Sequence, residues 1–600
     1  MIDDVYEPLD RYRTEFQEKF ASLTREMFAS LLEASGVDEK KNAETVANIV
    51  RLEKEHSTVR RRRGLWQFLV VIAAFAIIIL VLVAVFALLD GFNSFVEGDR
   101  LRALLKTLAC AVGVTLFGVL LGKVLVPKYR RSAAVARDLS GQLEEQKAQA
   151  WAQVNPLNQL YDWDMAAKLI TQTIPNIHFD PFFTTLRLQE LQQDFDLDDS
   201  FNEGQSVRFA QSGSLDGNPF VLGETLKMRW GEKTYTGHKR ISWTVQVKDK
   251  DGKERTEYRH ETLVARITKP IPVYSEEKFL LYGNKAAPKL SFSRTPSALS
   301  DDKDGIIHTL HKKRVISKLK KFSSNLKDES QYTLMANHDF EAFFHATDRN
   351  DEVAFRLLFT PLAQQQMLKL LRDKEKIGFG DDFTFVKKGK LNAIYPKHLH
   401  QIQLDNDPKR FASYHVKDAR TFFQKTCEEY FKAFYFALAP LLTIPLYQET
   451  SHNGATHDSP EHWQASFWEH ESLANYHGEK FFQHPKSITR NILKTQKLNQ
   501  IEGASVIAVT ASGYKGQPRT DSQTVRGGDG RLHSVNINWT EYLPVEQTKT
   551  MLVAEQAGRS QPDCRQQLAA IPEAWQQLHA NRQNGWQNGI YRRSILSFLE

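Results

Sequence analysis

Cysteine is nearly absent from this sequence. Its three cysteines, Cys110, Cys427 and Cys564, lie far apart among 600 residues, and Cys110 falls inside an apolar run. Neither a disulfide framework nor a four-cysteine zinc site can be assembled from them. The composition therefore favours a reducing compartment. A nucleophilic pair of Cys427 with a distant histidine would be a coincidence in a chain with 19 histidines.

Glycine and proline are also scarce. The chain has 31 glycines and 21 prolines, while 41% of its residues are hydrophobic, and this composition argues against a disordered or collagen-like protein. Neither sign of charge dominates. Lys and Arg number 79 against 72 Asp and Glu, and the resulting +7 identifies no partner by itself. The length exceeds what one hydrophobic core usually serves, so we expect roughly two to four folded units.

The sequence lacks the motifs that specify a reaction. "VRGGDGRLH", residues 525–533, is glycine-rich but has no Lys-Ser/Thr pair, and it lies between predicted strands, so it predicts a hairpin connection rather than a phosphate-binding loop. No paired-carboxylate, Ser-His-Asp or dinucleotide signature can be assigned, and we expect no cofactor. Catalytic triads are recognised in space, so enzymatic activity stays open, with a non-enzyme favoured.

Two long apolar runs are present instead. Residues 64–89 contain one strongly polar side chain, Gln67, and at ~1.5 Å per residue they exceed the ~30 Å hydrocarbon layer of a bilayer. Residues 104–126 carry Lys106 and Lys123 near the ends, where their ammonium groups can reach the headgroups. We predict a transmembrane hairpin with spans 64–89 and 104–126. The first run begins too late and is too long for a secretory signal.

Small residues recur within the second run. Ala109 and Gly113, then Gly118 and Gly122, have the small-xxx-small spacing that permits close contact between membrane helices. Such residues are also common in spans generally, and the two interpretations are equally favoured.

Basic residues flank the pair of spans. They cluster at 60–63 and between 128 and 137, whereas the link 90–102 has three acidic residues against two arginines. Because Lys and Arg are retained in the cytoplasm, we predict that both termini are cytoplasmic. The residues after the second span would then also face the cytoplasm.

Elsewhere, helix and strand patterns mix without strict βαβ alternation, which predicts the α+β class. We expect an amphipathic helical N-terminal region at 1–60, a transmembrane hairpin at 61–130, a helical stalk at 131–160, a β-rich domain at 161–300, an α/β domain with a basic helix at 301–440, and a C-terminal α+β module at 441–600. In the first region, Phe16, Phe20, Leu23, Met27 and Leu31 form a stripe that needs a partner surface, by self-association or by packing on the body.

Local signals predict several elements. "ISWTVQV" and "ETLVARI" alternate as two strands joined at Asp251-Gly252, and Thr360 and Pro361 begin a helix. "FTFVKKGKLNAIYP" predicts a hairpin that turns at Lys388-Gly389. We also predict a helix at 416–438 that ends before Pro440, strands at 504–514, 531–542 and 548–555, and a terminal helix at 562–578.

The stretch "HNGATHDSPEHWQASFWEHE", residues 452–471, is dense in histidine. Asp458 to Glu461 predict a helix start, with the helix running through Trp463 to Leu473. His462 and His470 would lie ~12 Å apart along that helix, too far to share one zinc ion. The remaining metal hypothesis uses His452, His457 and His462, with the loop folded back onto the helix. Structural and surface roles are the favoured interpretation.

Residues 304–327 predict a basic helix. His311, Val315, Leu319, Phe322 and Leu326 form an apolar stripe. The remaining positions hold six basic residues: Lys312, Lys313, Arg314, Lys318, Lys320 and Lys321. A solvated face is the default for such a run. Contact with anionic lipid headgroups is the second interpretation and nucleic-acid phosphate the third, so we do not expect nucleic acid as a partner.

The two spans, "LYGNKAAPKL" and "DFEAFFHATDRNDEVAFRLLFTP" together resemble a family of bacterial two-span membrane proteins catalogued as a domain of unknown function. The resemblance covers roughly residues 60–400 and centres on Phe340, Phe343, Phe355, Arg356, Thr360 and Pro361. It implies a bacterial inner-membrane protein, and a membrane partner of the LemA type, which often accompanies such proteins. Residues 444–545 have no counterpart in the shorter family pattern.

These patterns lead to two functional hypotheses. The first is a membrane-anchored, cytoplasm-facing interaction or scaffold protein bound to the bilayer and to another protein. The alternative is a membrane-tethered, metal-dependent hydrolase that uses the cluster from His452 to His462. Partner identity and homo-oligomerisation stay open.

Overall fold

The structure, a computed structural model, describes residues 6–93, 97–248, 253–300, 306–324, 332–373, 375–452, 463–501, 504–555, 586–592 and 594–599. It confirms a mixed α+β chain with two helices long and apolar enough to cross a membrane. The chain divides into two compact units. One comprises Met1–Met27, Asp162–Pro408 and Gln424–Glu600, and the other comprises Phe28–Tyr161 and Lys409–Phe423.

The helices have the following bounds: α1 Pro8–Arg11, α2 Gln17–Ser35, α3 Glu39–Asn93, α4 Glu97–Leu120, α5 Val126–Asn158, α6 Met165–Thr173, α7 Thr185–Asp194, α8 Ile306–Ser323, α9 His338–Phe344, α10 Glu352–Leu358, α11 Pro361–Leu371, α12 Val416–Leu442, α13 Pro445–Glu449, α14 Phe467–His477 and α15 Glu479–Phe482. π-Helical turns at Tyr12–Phe16 and Leu121–Leu125 join α1 to α2 and α4 to α5.

Strands among the described residues form two antiparallel sheets. Their bounds are β1 Ile177–Phe179, β2 Gln205–Leu215, β3 Asn218–Lys248, β4 Glu254–Gly283, β5 Ser291–Arg294, β6 Phe383–Lys388, β7 Leu391–Pro396, β8 Ile492–Ile501, β9 Ala504–Arg526, β10 Leu532–Glu555, β11 Trp586–Tyr591 and β12 Ser594–Leu599. The first sheet has the order β1-β2-β3-β4-β7-β6-β5 and the second β11-β12-β10-β9-β8. The first sheet therefore draws strands from both sides of residue 300, where the sequence predicted a domain boundary.

The second unit contains a long antiparallel helical hairpin. Helix α3 pairs with the continuous helix of α4 and α5, through Glu53 and Lys147 at 2.7 Å and through Gln153 Nε2, which donates to Thr45 Oγ1 at 3.0 Å. The predicted stalk is thus confirmed as a helix that continues the second apolar segment. Gly113 lies against Leu80, whereas nothing in the described residues comes within 4 Å of a Cβ built on Gly118 or Gly122.

The N-terminal stripe packs on the body within the first unit. Phe20 stacks on Phe431 of α12 with ring centroids 4.2 Å apart, and Phe16 meets Tyr435 at 5.7 Å. Both phenylalanines are buried, as the sequence predicted. Tyr12 is also buried in this unit, while the predicted Leu23, Met27 and Leu31 are only half-buried. Because residues four positions apart lie on the same face of a helix, the buried side chains cover a narrower face than the predicted stripe.

The β3–β4 and β9–β10 hairpins of the first unit extend well past the other strands of their sheets. We call residues 229–248 and 254–273 of β3 and β4, with 513–526 and 532–545 of β9 and β10, the β-arm. At ~3.3 Å per residue its longest strand spans about 65 Å. The two hairpins pack face to face through a small apolar core that includes Ile241, Leu263, Ala265, Val535 and Ile537. Alternate residues face this core, so the intervening ones stand on the outer faces.

Several predicted elements are confirmed. The two predicted strands around residues 241–267 pair in β3 and β4, although the turn at Asp251-Gly252 lies outside the described residues. The Thr360 side chain accepts from Ala363 N at the start of α11. Gly389 has φ +62 in the turn between β6 and β7. The glycine-rich stretch at 525–533 joins β9 to β10.

Other predictions are wrong in their bounds. Helix α14 begins at Phe467, capped by Ser466, because Ala465 instead bridges to Thr184 in an extended conformation. Helix α12 continues through Pro440 to Leu442, where buried apolar side chains hold its last turn. The strands predicted at 531–542 and 548–555 form the single strand β10. The predicted helix start at 458–461 and the helix at 562–578 lie outside the described residues.

Candidate functional site

The predicted metal histidines are described only in part. His452 Nε2 lies 3.3 Å from Glu190 Oε1 and 3.5 Å from Asp194 Oδ2, and its ring packs edge-on against Phe195. His457 and His462 lie outside the described residues. Across the part of the chain that the structure describes, no group of three or more His, Cys, Asp or Glu residues is placed to hold a metal ion. The three-histidine site therefore stays a prediction.

His470, His477 and Cys427 occupy buried or half-buried positions. His470 lies in α14 with Nε2 3.8 Å from Glu555, and half-buried His477 packs on Phe481. Burial raises the pKa of Cys427 to about 12. The Cys427 thiol is therefore protonated at neutral pH, which removes the nucleophilic form that a Cys-His pair requires.

The basic helix α8 presents most of its cations to solvent. Lys313, Arg314, Lys318, Lys320 and Lys321 are exposed, whereas Lys312 pairs with Asp339 at 3.0 Å. Leu319 on the opposite side is buried. Of the other predicted stripe residues, His311 and Val315 are half-buried, Phe322 is 38% exposed, and Leu326 lies outside the described residues.

A polar cleft of about 480 Å³ opens in the first unit. Strands β2, β3 and β4, the loop at 403–405, the end of α14 and the end of β11 contribute its walls. We call this space the polar cleft; it is lined by Arg208, Phe209, Glu224, Glu276, Lys278, Gln403, Leu404, Asp405, Asn475, Tyr476 and Tyr591. Its volume falls within the ~300–1,000 Å³ typical of small-molecule sites.

A β-bulge shapes one wall of the polar cleft. Neighbouring residues of a regular strand point to opposite faces, yet Arg208 and Phe209 both line this space. The pairing of β2 with β3 shifts register between Val207 and Phe209, so Arg208 is the extra residue of the bulge. Bulges re-aim side chains in this way. Phe209 is paired with Glu224 on the next strand, which in turn is paired with Lys278.

Four of the five charged side chains that line the polar cleft pair with one another, and the fifth, Asp405, also has a partner within the protein. Arg208 Nη1 lies 2.9 Å from Glu224 and 2.5 Å from Glu276. Lys278 Nζ lies 3.3 Å from Glu224 and donates to the Ile402 carbonyl at 2.6 Å. Burial alone would raise the pKa of Glu276, but the Arg490 and Arg208 guanidinium groups lower it below its ordinary value. Glu276 is therefore an ionised partner in a network of ion pairs at neutral pH.

Aromatic rings form a second wall. The rings of Tyr476 and Tyr591 lie 4.3 Å apart, and Trp163 packs edge-on against Tyr591 at 4.8 Å. Tyr476 donates to Asp407 at 2.9 Å; burial and this neighbouring carboxylate raise the pKa of the Tyr476 hydroxyl. Burial raises the pKa of Tyr591 to about 12. Both phenols therefore remain neutral hydrogen-bonding groups.

Two buried carboxylates lie on α14 behind this wall. Glu471 accepts from Val207 N at 2.9 Å and lies 3.2 Å from Lys494 Nζ. Glu469 accepts from Phe183 N at 3.2 Å and lies 3.3 Å from Arg592 Nη1. Burial raises the pKa of both carboxyls. These contacts tie α14 to β2, β8 and the turn after β11, and so fix the rings beside the cleft.

The sequence does not predict the polar cleft. Its residues come from segments as far apart as Arg208 and Tyr591, and antiparallel pairing rather than a motif brings them together. One local signal was present in "EEKFLLY", where Glu276 and Lys278 alternate with residues of an otherwise apolar strand. Two charged side chains on one face of a strand that leads into the core indicate a polar surface inside the fold.

Comparison with protein-family models, with curated proteins and with solved structures finds no match for this chain.

Proposed function

We propose that this chain is a membrane-anchored protein whose helical hairpin crosses the bilayer twice and whose larger unit binds another protein in the cytoplasm. One observation carries the proposal. In the most apolar stretches of the two long helices, only 6% and 11% of residues are buried. An apolar core helix of a soluble protein is mostly buried, whereas a lipid-facing helix leaves its side chains exposed within the protein itself.

The residues at one end of the apolar hairpin support the same proposal. Lys128 Nζ lies 4.7 Å from the Trp66 ring centroid, and the Arg63 guanidinium lies 5.9 Å from that of Tyr129. Aromatic and basic side chains are enriched where spans meet the headgroups. Because basic residues are retained in the cytoplasm, this end, and with it both chain termini, is assigned to the cytoplasmic side. The family resemblance extends the proposal to a bacterial inner membrane.

The β-arm is the surface that we propose for protein binding. Both of its outer faces are open to solvent, and Tyr258 near its tip is 82% exposed. A projecting pair of hairpins offers a partner both flat faces and free strand edges. The family resemblance suggests a LemA-type membrane protein as that partner. The exposed cations of α8 supply an additional contact for anionic headgroups, at about 1 kcal/mol per residue near the surface.

Cysteine labelling tests the membrane topology. In a variant with all three native cysteines replaced by Ser, one new cysteine is placed at Ser94 in the link, or at Ser132, which is partly exposed in α5. In intact bacterial cells, we expect a membrane-impermeant maleimide to label Ser94→Cys. Ser132→Cys should be labelled only after permeabilisation. The reverse pattern, or equal labelling of both in intact cells, would contradict the proposed topology.

Site-specific crosslinking tests the partner surface. A photoreactive amino acid is placed at Tyr258 on the β-arm or, as a matched exposed control, at Leu357 on α10. We expect a discrete crosslinked protein from the Tyr258 position that is absent from the control. Crosslinking that is identical at the two positions would contradict a role for the β-arm.

A further inference from the structure

The pairing of charges in the polar cleft restricts its ligand. Arg208 and Lys278 are paired with Glu224 and Glu276, and the fifth charged lining residue, Asp405, also has a partner within the protein. A ligand with a net charge, or a zwitterion, would have to displace one member of these pairs. A hydroxyl group both donates and accepts hydrogen bonds, so it can join a carboxylate and a cation without separating them. The charge pattern therefore favours a neutral ligand rich in hydroxyl groups.

Tyr476 gives such a ligand an apolar ring beside the ion pairs. Tyr476 is half-buried, whereas Tyr591 and Phe209 on the adjoining walls are almost wholly buried. A sugar ring has one apolar C–H face and a rim of hydroxyl groups, which matches an aromatic wall next to a polar one. The volume of about 480 Å³ accommodates more than one such ring.

Arg592 supplies an independent indication that an oxygen atom binds here. Its side chain is buried, and Nη2 has no hydrogen-bond partner within the described residues. It lines a small cavity of about 10 Å³ that shares Phe209 and Leu404 with the polar cleft. A cavity of that size holds roughly one oxygen-sized atom. A buried donor without a partner is costly, so an oxygen from water or from a ligand stabilises this position.

The charges around Arg592 favour a neutral oxygen there. Glu469 lies 3.3 Å from Nη1, and Asp164 lines the same small cavity. Two carboxylates beside one guanidinium oppose the entry of an anion. The hydroxyl group of a neutral ligand meets no such barrier.

We propose that the polar cleft binds a neutral saccharide of one or two rings. One sugar ring lies against Tyr476, and its hydroxyl groups join the ion pairs of Arg208 and Lys278. The innermost oxygen, from the ligand or from a bridging water, faces Arg592. This binding site is separate from the membrane anchor and from the β-arm.

Calorimetric titration of the full-length protein in lipid nanodiscs tests the site. Nanodiscs avoid detergents with sugar headgroups, which would compete. The probes are maltose, trehalose and sucrose, with glucosamine, gluconate and glycine as cationic, anionic and zwitterionic comparators. We expect saturable binding of at least one neutral sugar and weaker binding of all three comparators.

Variants assign that binding to the cleft. Tyr476→Ala and Glu276→Gln should each raise the Kd about tenfold or more, equivalent to about 1.4 kcal/mol. Arg519→Gln, in an exposed ion pair with Glu541 on the β-arm, should leave the Kd unchanged. The double variant Glu469→Gln with Arg592→Met removes both charges of the buried pair together. It tests how much the oxygen position at Arg592 contributes to the Kd. Melting temperatures identify any variant that fails to fold, and Tyr476→Leu, which removes the ring but keeps an apolar side chain, replaces Tyr476→Ala in that case.

Three results would overturn the proposal. They are the absence of saturable binding by every neutral sugar, tighter binding of any charged comparator, and an unchanged Kd in both the Tyr476 and Glu276 variants. The labelling experiment on membrane topology is independent of all three, so failure of one proposal is distinguishable from failure of the other.

Discussion

Lys387 of β6 places an ammonium group inside the sheet of the first unit. Its side chain is 1% exposed, and Nζ donates to the Ala286 carbonyl at 3.1 Å. Burial lowers the pKa of Lys387 to about 7, and the charge of Asp196 offsets this only in part. The neighbouring Lys388 is exposed at the strand end. The two lysines therefore form a natural comparison between a buried and a solvated cation.

We expect Lys387→Met to raise the melting temperature, and to do so most at low pH. The folded state disfavours the charged lysine, so between pH 7 and about 10.4 the unfolded state binds more protons and the stability of the native lysine protein rises with pH. The slope is at most about 1.4 kcal/mol per pH unit. Melting curves at pH 6, 7.5 and 9 measure the difference. The advantage of methionine should be largest at pH 6 and smallest at pH 9.

Lys388→Met is the matched control, because its ammonium is already in water. It should change the melting temperature little at any of the three pH values. A lower melting temperature for Lys387→Met at pH 6, or the same pH dependence for both variants, would show that burial of the Lys387 charge does not destabilise the fold.

At the scale of single elements, the sequence predicts those features that depend on a few adjacent residues. Thr360 and Pro361 start α11 because a capping hydroxyl and a fixed φ act within one turn. Gly389 marks a hairpin because its positive φ suits glycine. The start of α14 was mispredicted because Ala465 pairs with Thr184, which is 281 residues away. That long-range contact holds Ala465 outside the helix, whereas the predicted start at 458–461 lies outside the described residues.

The polar cleft and the β-arm lie beyond local prediction for the same reason. The sequence alternates along β3 and β4 as expected, but alternation does not reveal which surface covers the apolar face. The apolar face of this hairpin packs against a second hairpin, formed by β9 and β10, which lies almost 300 residues further along the chain. Likewise, the bulge at Arg208 becomes visible only from the register of β2 against β3.

Ile537→Asp tests how the β-arm holds together. Ile537 is fully buried between the hairpins and packs with Ile241. An unpaired carboxylate there should lower the local opening free energy of the arm by about 3 kcal/mol or more. We expect faster amide hydrogen exchange across 229–248 and 532–545, with unchanged exchange in β6 and β7, which lie in the body of the first sheet.

Asn538→Asp is the control on the opposite, exposed face of the same strand, where the side chain accepts from Thr520 Oγ1. It adds the same charge in water and should leave exchange in the arm unchanged. If Ile537→Asp exchanges like the control, the hairpins do not depend on their shared apolar core. If exchange rises throughout the first unit, the arm does not open independently.

At the scale of the whole molecule, the helical hairpin separates into an apolar part and a polar part. Below the apolar part, Glu53 pairs with Lys147, and Gln153 donates to Thr45, so α3 and α5 hold each other without help from residues 64–126. Arg63 and Tyr129 lie beside each other, which lets a short loop join the two helices at that level. The exposed apolar surface can therefore be removed while the polar helix pair remains.

Replacing residues 64–126 with a short Gly-Ser loop should yield a protein that is monodisperse without detergent. Exposed Leu, Val, Ile and Phe side chains of the hairpin cause association in water, and the loop removes them. Analytical ultracentrifugation in detergent-free buffer compares this variant with the intact chain, which should aggregate. The melting temperature should match that of the intact chain in nanodiscs. An intact chain that stays monodisperse in plain buffer would contradict a lipid-facing hairpin, because that apolar surface would then tolerate water.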